Sequence, residues 1–208
     1  MASSHCVYCK DGDGSTRDHI PPKAFFGDPP PSNLITVPCC ETCRMRDQQD
    51  DQFMRNLFVS LRETENHPTI ASQVASRRNR SFVKDKTQVA KLAEIMTPVE
   101  VNSPGGLYLG TAPAFNLNDP RIDRFIERVS RGVIYDAFGI SFFVATFRWK
   151  LNPPNADFLF QAGPPECRKK DVGEIFSYWI PPESQDRVFW TIMRFYRNLL
   201  VLSRFQRI

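Results

Sequence analysis

Cys6-Val7-Tyr8-Cys9 and Cys40-Glu41-Thr42-Cys43, with Asp18-His19-Ile20-Pro21 between them, are the stretches from which the fold of the N-terminal part is read. Two Cys-x-x-Cys knuckles with 30 residues between them can be brought around one tetrahedral ion by a short hairpin and a loop. Thiolates are soft donors that suit zinc, and four of them leave no open coordination position, which predicts a structural and not a catalytic ion. A segment this short buries too little apolar surface to hold itself together without such a staple. Cys39 leaves an alternative open, because it could replace Cys40 in an x3 spacing, although the x2 spacing repeats the first knuckle. Cys167, between Glu166 and Arg168, reads as an ordinary thiol.

After the first knuckle, Asp11-Gly12-Asp13-Gly14 is a turn signal, and residues 15–20 read as a short strand that Pro21 and Pro22 stop. The proline-rich loop 28–32 leads to a β-branched strand over 34–37 that Pro38 ends. Residues 41–62 read as a helix, because Phe53, Leu57 and Leu61 recur at four-residue spacing and give one apolar face. The order is strand, strand, helix. His67-Pro68 marks the expected boundary between a module over 1–66 and a mixed α+β domain over 67–208, since proline restricts the residue before it. In that second part a helix or helix pair is predicted over 69–96, and strand and turn over 105–115 with Leu107 and Leu109 on one face. Asp119-Pro120 reads as an N-cap with proline at the first helical position, opening a helix to about residue 138 that buries Ile122, Phe125, Ile126 and Val129. Strands are predicted over 142–149, 156–162 and 175–180, and a closing helix from Ser184 or Asp186 to Leu202. The many aromatics of this half, Trp149, Phe176, Tyr178 and Phe195 among them, read as core.

Composition narrows the class. The chain of 208 residues is 41% hydrophobic and 24% charged, ordinary for a folded protein, and no run approaches the roughly 18 apolar residues of a membrane span. The opening MASSHCVYC lacks the basic and apolar regions of a secretory signal, which predicts a cytoplasmic protein with reduced thiols and no membrane partner. The net charge of +4 is unevenly spread: residues 1–66 hold 7 basic and 10 acidic side chains, and residues 67–208 hold 20 and 13. A polyanion would be drawn mainly to the second part, while the first concentrates carboxylates as a cation site does.

Asp18-His19-Ile20-Pro21, then Asn33-Leu34, then the second knuckle running into a helix, together resemble the zinc-containing branch of the HNH endonuclease family, over residues 6–62. The resemblance implies a ββα-metal module stapled by a four-cysteine zinc site at Cys6, Cys9, Cys40 and Cys43. It implies a Mg²⁺- or Mn²⁺-dependent endonuclease in which His19 is the general base that activates water. Asp18 would offer a hard oxygen to the divalent ion, and Asn33 would position the loop carrying His19. The chemistry is sound on its own terms: an anionic phosphodiester needs a deprotonated nucleophile and a cation to stabilise developing charge, and a histidine is largely neutral at cellular pH. Asp18 and His19 would point to opposite faces of a strand, so a bend or bulge after Asp18 is expected. Family members carry His or Asn directly after the last knuckle cysteine, where this chain has Arg44, which cannot ligate a cation. Asp47 and Asp51, four apart on a helix, share a face and could supply the missing ligand, or could form a solvated acidic face.

For nucleic-acid contact the sequence offers Arg44 at the helix start and the cluster Arg77, Arg78, Arg80, Lys84, Lys86 and Lys91. Arg121, Arg124, Arg128 and Arg131 repeat along one helix as a basic stripe. Both clusters could equally be solvated faces. The leading expectation is a DNA endonuclease, with RNA as the lesser substrate, serving defence or a mobile element with a homo-oligomer or a defence-system protein as partner. The rival is a zinc-stabilised nucleic-acid-binding module that has lost catalysis through Arg44.

Overall fold

A computed structural model of the chain describes residues 5–9, 12–141, 144–154, 166–182 and 187–207. The first strand, β1 (Thr16–Ile20), pairs antiparallel with β2 (Ile35–Cys39), and α1 (Glu41–Ser60) follows immediately. Cys40 is the N-cap of α1, its sulfur accepting from the Cys43 backbone N–H, so the second knuckle is itself the first turn of the helix. The expected strand, strand and helix are therefore present in order.

A π-helical stretch (Ile70–Val74) leads into α2 (Ala75–Lys84), and Asp85 caps α3 (Lys86–Ala93) through the Thr87 N–H. The expected helix or helix pair over 69–96 is thus a pair, and it ends early. Its last residue starts β3 (Met96–Asn102), a strand the sequence does not signal, which pairs with β4 (Tyr108–Phe115) in an exposed ribbon. Leu107 and Leu109 lie open to solvent there. Next comes α4 (Pro120–Phe138), capped by the Asp119 carboxylate accepting from the Arg121 N–H and closed by Gly139 at φ 68°. Ile122, Phe125, Ile126 and Val129 are all buried.

A five-stranded antiparallel sheet completes the fold in the order β5 (Val144–Leu151), β9 (Leu199–Arg207), β8 (Val188–Phe195), β7 (Phe176–Ile180), β6 (Arg168–Val172). The strand expected over 156–162 lies outside the described residues, as do Ser184 and Asp186. The closing helix is corrected: the chain ends in the β8–β9 hairpin. Val188-Phe189-Trp190-Thr191-Ile192 is β-branched and aromatic, and β8 and β9 are buried between neighbours, so their apolar residues run on without the alternation that marks a half-exposed strand. The turn between them takes left-handed geometry at Tyr196 (φ 49°) and Arg197 (φ 67°), with no glycine to signal it.

One buried cluster spans the chain. Phe25 stacks on Phe125 of α4 at 5.3 Å, and Phe58 of α1 meets Phe195 of β8 edge-on at 5.1 Å. The Tyr196 hydroxyl donates to the Phe25 carbonyl at 2.8 Å. His67, at the expected boundary, is buried, with its Nε2 3.3 Å from the Glu174 carbonyl and its Nδ1 accepting from the Thr69 N–H. Residues before and after position 67 therefore share these contacts. No helix among the described residues is long and apolar enough to cross a membrane.

Candidate metal centre and adjoining cleft

The four sulfurs of Cys6, Cys9, Cys40 and Cys43 lie within 4.8 Å of one another, an arrangement that fits a single tetrahedral ion with soft ligands. Cys39 is not among them. Its thiol donates to the Cys40 carbonyl at 3.2 Å, and burial first, then the Asp18 carboxylate, pushes its pKa up. Burial works against ionisation of Cys6 too, but backbone hydrogen bonds at Cys40, Cys9 and Tyr8 overcome it and bring that thiol down to about 7. Gly12 closes the centre tightly, since a Cβ there would lie 2.6 Å from the Cys40 Cβ. A zinc ion held here would staple the first knuckle, ahead of β1, to the junction of β2 and α1.

The first knuckle does more than carry sulfur. Tyr8, between its cysteines, donates its hydroxyl to Asp18 Oδ2 at 2.6 Å. Burial and the Asp18 charge raise the Tyr8 pKa, so it stays a neutral donor. Arg131 on α4 grips the same knuckle through the Val7 carbonyl at 2.8 Å.

The bend expected after Asp18 is absent. The β1–β2 register runs unbroken from Thr16↔Cys39 to Ile20↔Ile35, and Asp18 is buried while His19 is only partly so. Asp18 turns inward to Tyr8, and the strand's break falls one residue later than His19, at Ile20-Pro21. Both residues nevertheless border a cleft of about 400 Å³, together with Arg17, Lys23, Arg44, Gln48, Asp51 and Arg128. Among the described residues the His19 imidazole has no hydrogen-bond or ion-pair partner. Burial, and next the Lys23 ammonium, lower its pKa, against a smaller opposing pull from Asp18.

The three carboxylates expected at a divalent ion do converge, but on a guanidinium. Arg128, buried, pairs with Asp51 and lies 3.5 Å from Asp18 and 3.9 Å from Asp47. Burial disfavours its charge, and the carboxylates of Asp51, Asp18 and Asp47 more than offset this, so its pKa rises. Asp47 is also held by Arg46 at 2.7 Å. Burial raises the Asp51 pKa to about 7 against the pull of Arg128, with the charges of Asp18 and Asp47 adding to the rise. Arg128 thus fills the space between the carboxylates that Mg²⁺ or Mn²⁺ would need, and these residues as arranged do not fit a hard divalent ion.

Arg44 stands at the start of α1 beside the cleft and makes a two-pronged pair with Glu41 at 2.5 and 2.9 Å. Asn33 does not border the cleft. Its amide donates to the Asp171 carbonyl at 2.7 Å, tying the β1–β2 loop to β6. The basic cluster divides in two. Arg77 donates to the Phe26 carbonyl at 2.8 Å and pairs with Asp28, and Arg78 donates to the Val59 carbonyl and Ser60 hydroxyl at 3.3 Å. Arg80, Lys84 and Lys86 are exposed and, among the described residues, unpaired. The α4 stripe is not free: Arg121 pairs with Asp119, the exposed Arg124 with Asp50, and the buried Arg128 with Asp51. Its spacing is readable in the sequence, but nothing in a helical repeat says that carboxylates of α1 lie opposite.

No family model matches this chain, and neither a curated protein nor a solved structure matches it.

Proposed function

We propose that this chain is a zinc-stapled ββα module that binds the phosphate backbone of nucleic acid in the cleft beside His19 and Arg44. The observation that carries this reading is the buried Arg128 among Asp18, Asp47 and Asp51. With Asp18 and Asp51 facing Arg128 and Asp47 held by Arg46 as well, the cleft presents Arg17, Lys23 and the Glu41-paired Arg44 outward, and its field favours an anion. Arg44 sits in the first turn of a 20-residue helix, where the dipole also favours negative charge. Contacts of this kind read phosphate and not sequence.

Fluorescence anisotropy with labelled duplex DNA and single-stranded RNA, titrated with salt, tests this reading. Lys23→Glu with Arg44→Glu should weaken binding at least about tenfold and flatten the salt dependence. Equal affinity of wild type and double variant would place contact elsewhere, with Arg80, Lys84 and Lys86 the next surface to reverse.

The metal-dependent endonuclease stays as a second reading, because Asp18 and His19 are consecutive on β1 and border one cleft with Asp51. It requires Arg128 to leave the carboxylates when an ion binds. Plasmid nicking that needs Mn²⁺ and is lost in both His19→Ala and Asp51→Ala would establish it, and Arg44→Asn at fixed Mn²⁺ would show whether the arginine hinders the ion.

A further inference from the structure

We infer that the cleft, if it binds nucleic acid as proposed, is built to cleave RNA by attack of the ribose 2′-hydroxyl, without a divalent ion. The site has a partly buried imidazole at His19 that no other described side chain or carbonyl engages, so its ring nitrogen is available to a ligand. It has Arg17 and Lys23 beside that imidazole, neither of them in an ion pair among the described residues, and Arg44 on the facing helix. Its carboxylates are held by Arg128 and Tyr8.

Hydrolysis of DNA by such a site would need water as the nucleophile, and none of the described cleft residues would make water more acidic than it is in bulk. RNA brings its own nucleophile, held next to the phosphorus in the same nucleotide, so the entropic and positional part of the barrier is met by the substrate. What remains is a base and positive charge around the phosphate, and the cleft supplies both. In the step, the 2′ oxygen bonds to phosphorus while its proton passes to the His19 imidazole, and the bond from phosphorus to the 5′ oxygen breaks. The leaving 5′ oxygen takes a proton from solvent, and His19 returns its own to solvent. The products are a 2′,3′-cyclic phosphate and a 5′-hydroxyl, with no water consumed and no oxidation. Arg17, Lys23 and Arg44 would face the extra negative charge that the phosphoryl oxygens gain on the way.

The test uses the full zinc-loaded chain in buffer cleared of Mg²⁺ and Mn²⁺ by a chelating resin, with circular dichroism recorded to show that each protein keeps its fold. Three end-labelled oligonucleotides of one sequence are compared: RNA, DNA, and DNA carrying a single ribonucleotide, the last also in a 2′-O-methyl form. Cutting of the RNA, and of the chimera only after its ribonucleotide, with a cyclic phosphate terminus, is expected. The DNA and the 2′-O-methyl chimera should stay whole. His19→Asn should lose about 10²–10⁴-fold in rate at unchanged RNA affinity. RNA that is bound but left intact would overturn this inference and leave the binding proposal standing. Cutting of RNA undiminished in His19→Asn, or cutting of DNA alongside RNA, would overturn the inference as well. Absence of binding to any of the oligonucleotides would overturn both.

Discussion

The guanidinium of Arg128 on α4 lies 3.5 Å from the carboxylate of Asp18 on β1, so a residue of the second half of the chain sets the charge of the first. Removing it exposes that dependence. Arg128→Met should destabilise the fold by about 3–5 kcal/mol, because it leaves buried carboxylates without their partner. It should also raise the affinity of these carboxylates for hard cations. Thermal melts with and without millimolar Mn²⁺ check this: the variant should gain several degrees from the ion, and the wild type none. A wild-type gain as large as that of the variant would mean that Arg128 yields to metal.

Zinc is expected near one per chain in protein purified without added metal, and Cys43→Ser should lose it together with the order of the N-terminal module. A subtler probe is Gly12→Ala. The added methyl would lie 2.6 Å from the Cys40 Cβ and 2.9 Å from its sulfur, so the knuckle must shift, at a cost of about 1–3 kcal/mol. Zinc release to a chromogenic chelator should be faster in this variant than in wild type. An unchanged release rate would show that the turn is not part of the clamp.

Stability should fall on mild acidification through His67. Burial holds its pKa below the ordinary 6.5 in the folded protein, whereas the unfolded chain titrates near that value. As pH falls, the unfolded state therefore takes the proton first, and the contribution present above about 6.5 is lost between that pH and the lower folded pKa. Urea midpoints at pH 7.5 and 5.5 should differ less in His67→Gln than in wild type. Parallel declines would assign the acid sensitivity to other groups.

Helix α4 approaches β1 so closely that a Cβ on Gly132 would come within 2.5 Å of Ile20 Cγ1. Gly132→Ala should therefore cost about 1–3 kcal/mol despite the better helix propensity of alanine. Because Arg128 stands one turn earlier on the same helix, the substitution should also loosen its hold on Asp18, read as a change in the Mn²⁺ response described above. A variant as stable as wild type would mean that the helix can back away freely.

The parts legible in the sequence are those whose signals are local. Cys40 and Cys43 mark where α1 begins, and Asp119-Pro120 with Gly139 brackets α4, because caps act over a single turn. Strand β3 escapes notice because Pro98 discourages pairing, yet it sits opposite Pro113 in a two-stranded ribbon with free edges, where a proline is tolerated. The β8–β9 hairpin reads as helix because its interior strands lack alternation and its left-handed turn falls on Tyr196 and Arg197. In the site, His19 and the carboxylates can be picked out from the sequence. That Arg128 sits among them depends on how α4 packs against α1, a long-range fact that no local pattern encodes.

Because Arg128 comes from α4, the first 66 residues are not portable. Transplanted alone onto another scaffold they would carry Asp18, Asp47 and Asp51 without their internal counterion and without the Arg131 brace on the first knuckle. The graft would keep the motif and change its preference, drawing cations to a surface that, on the reading proposed above, faces anions in the whole chain.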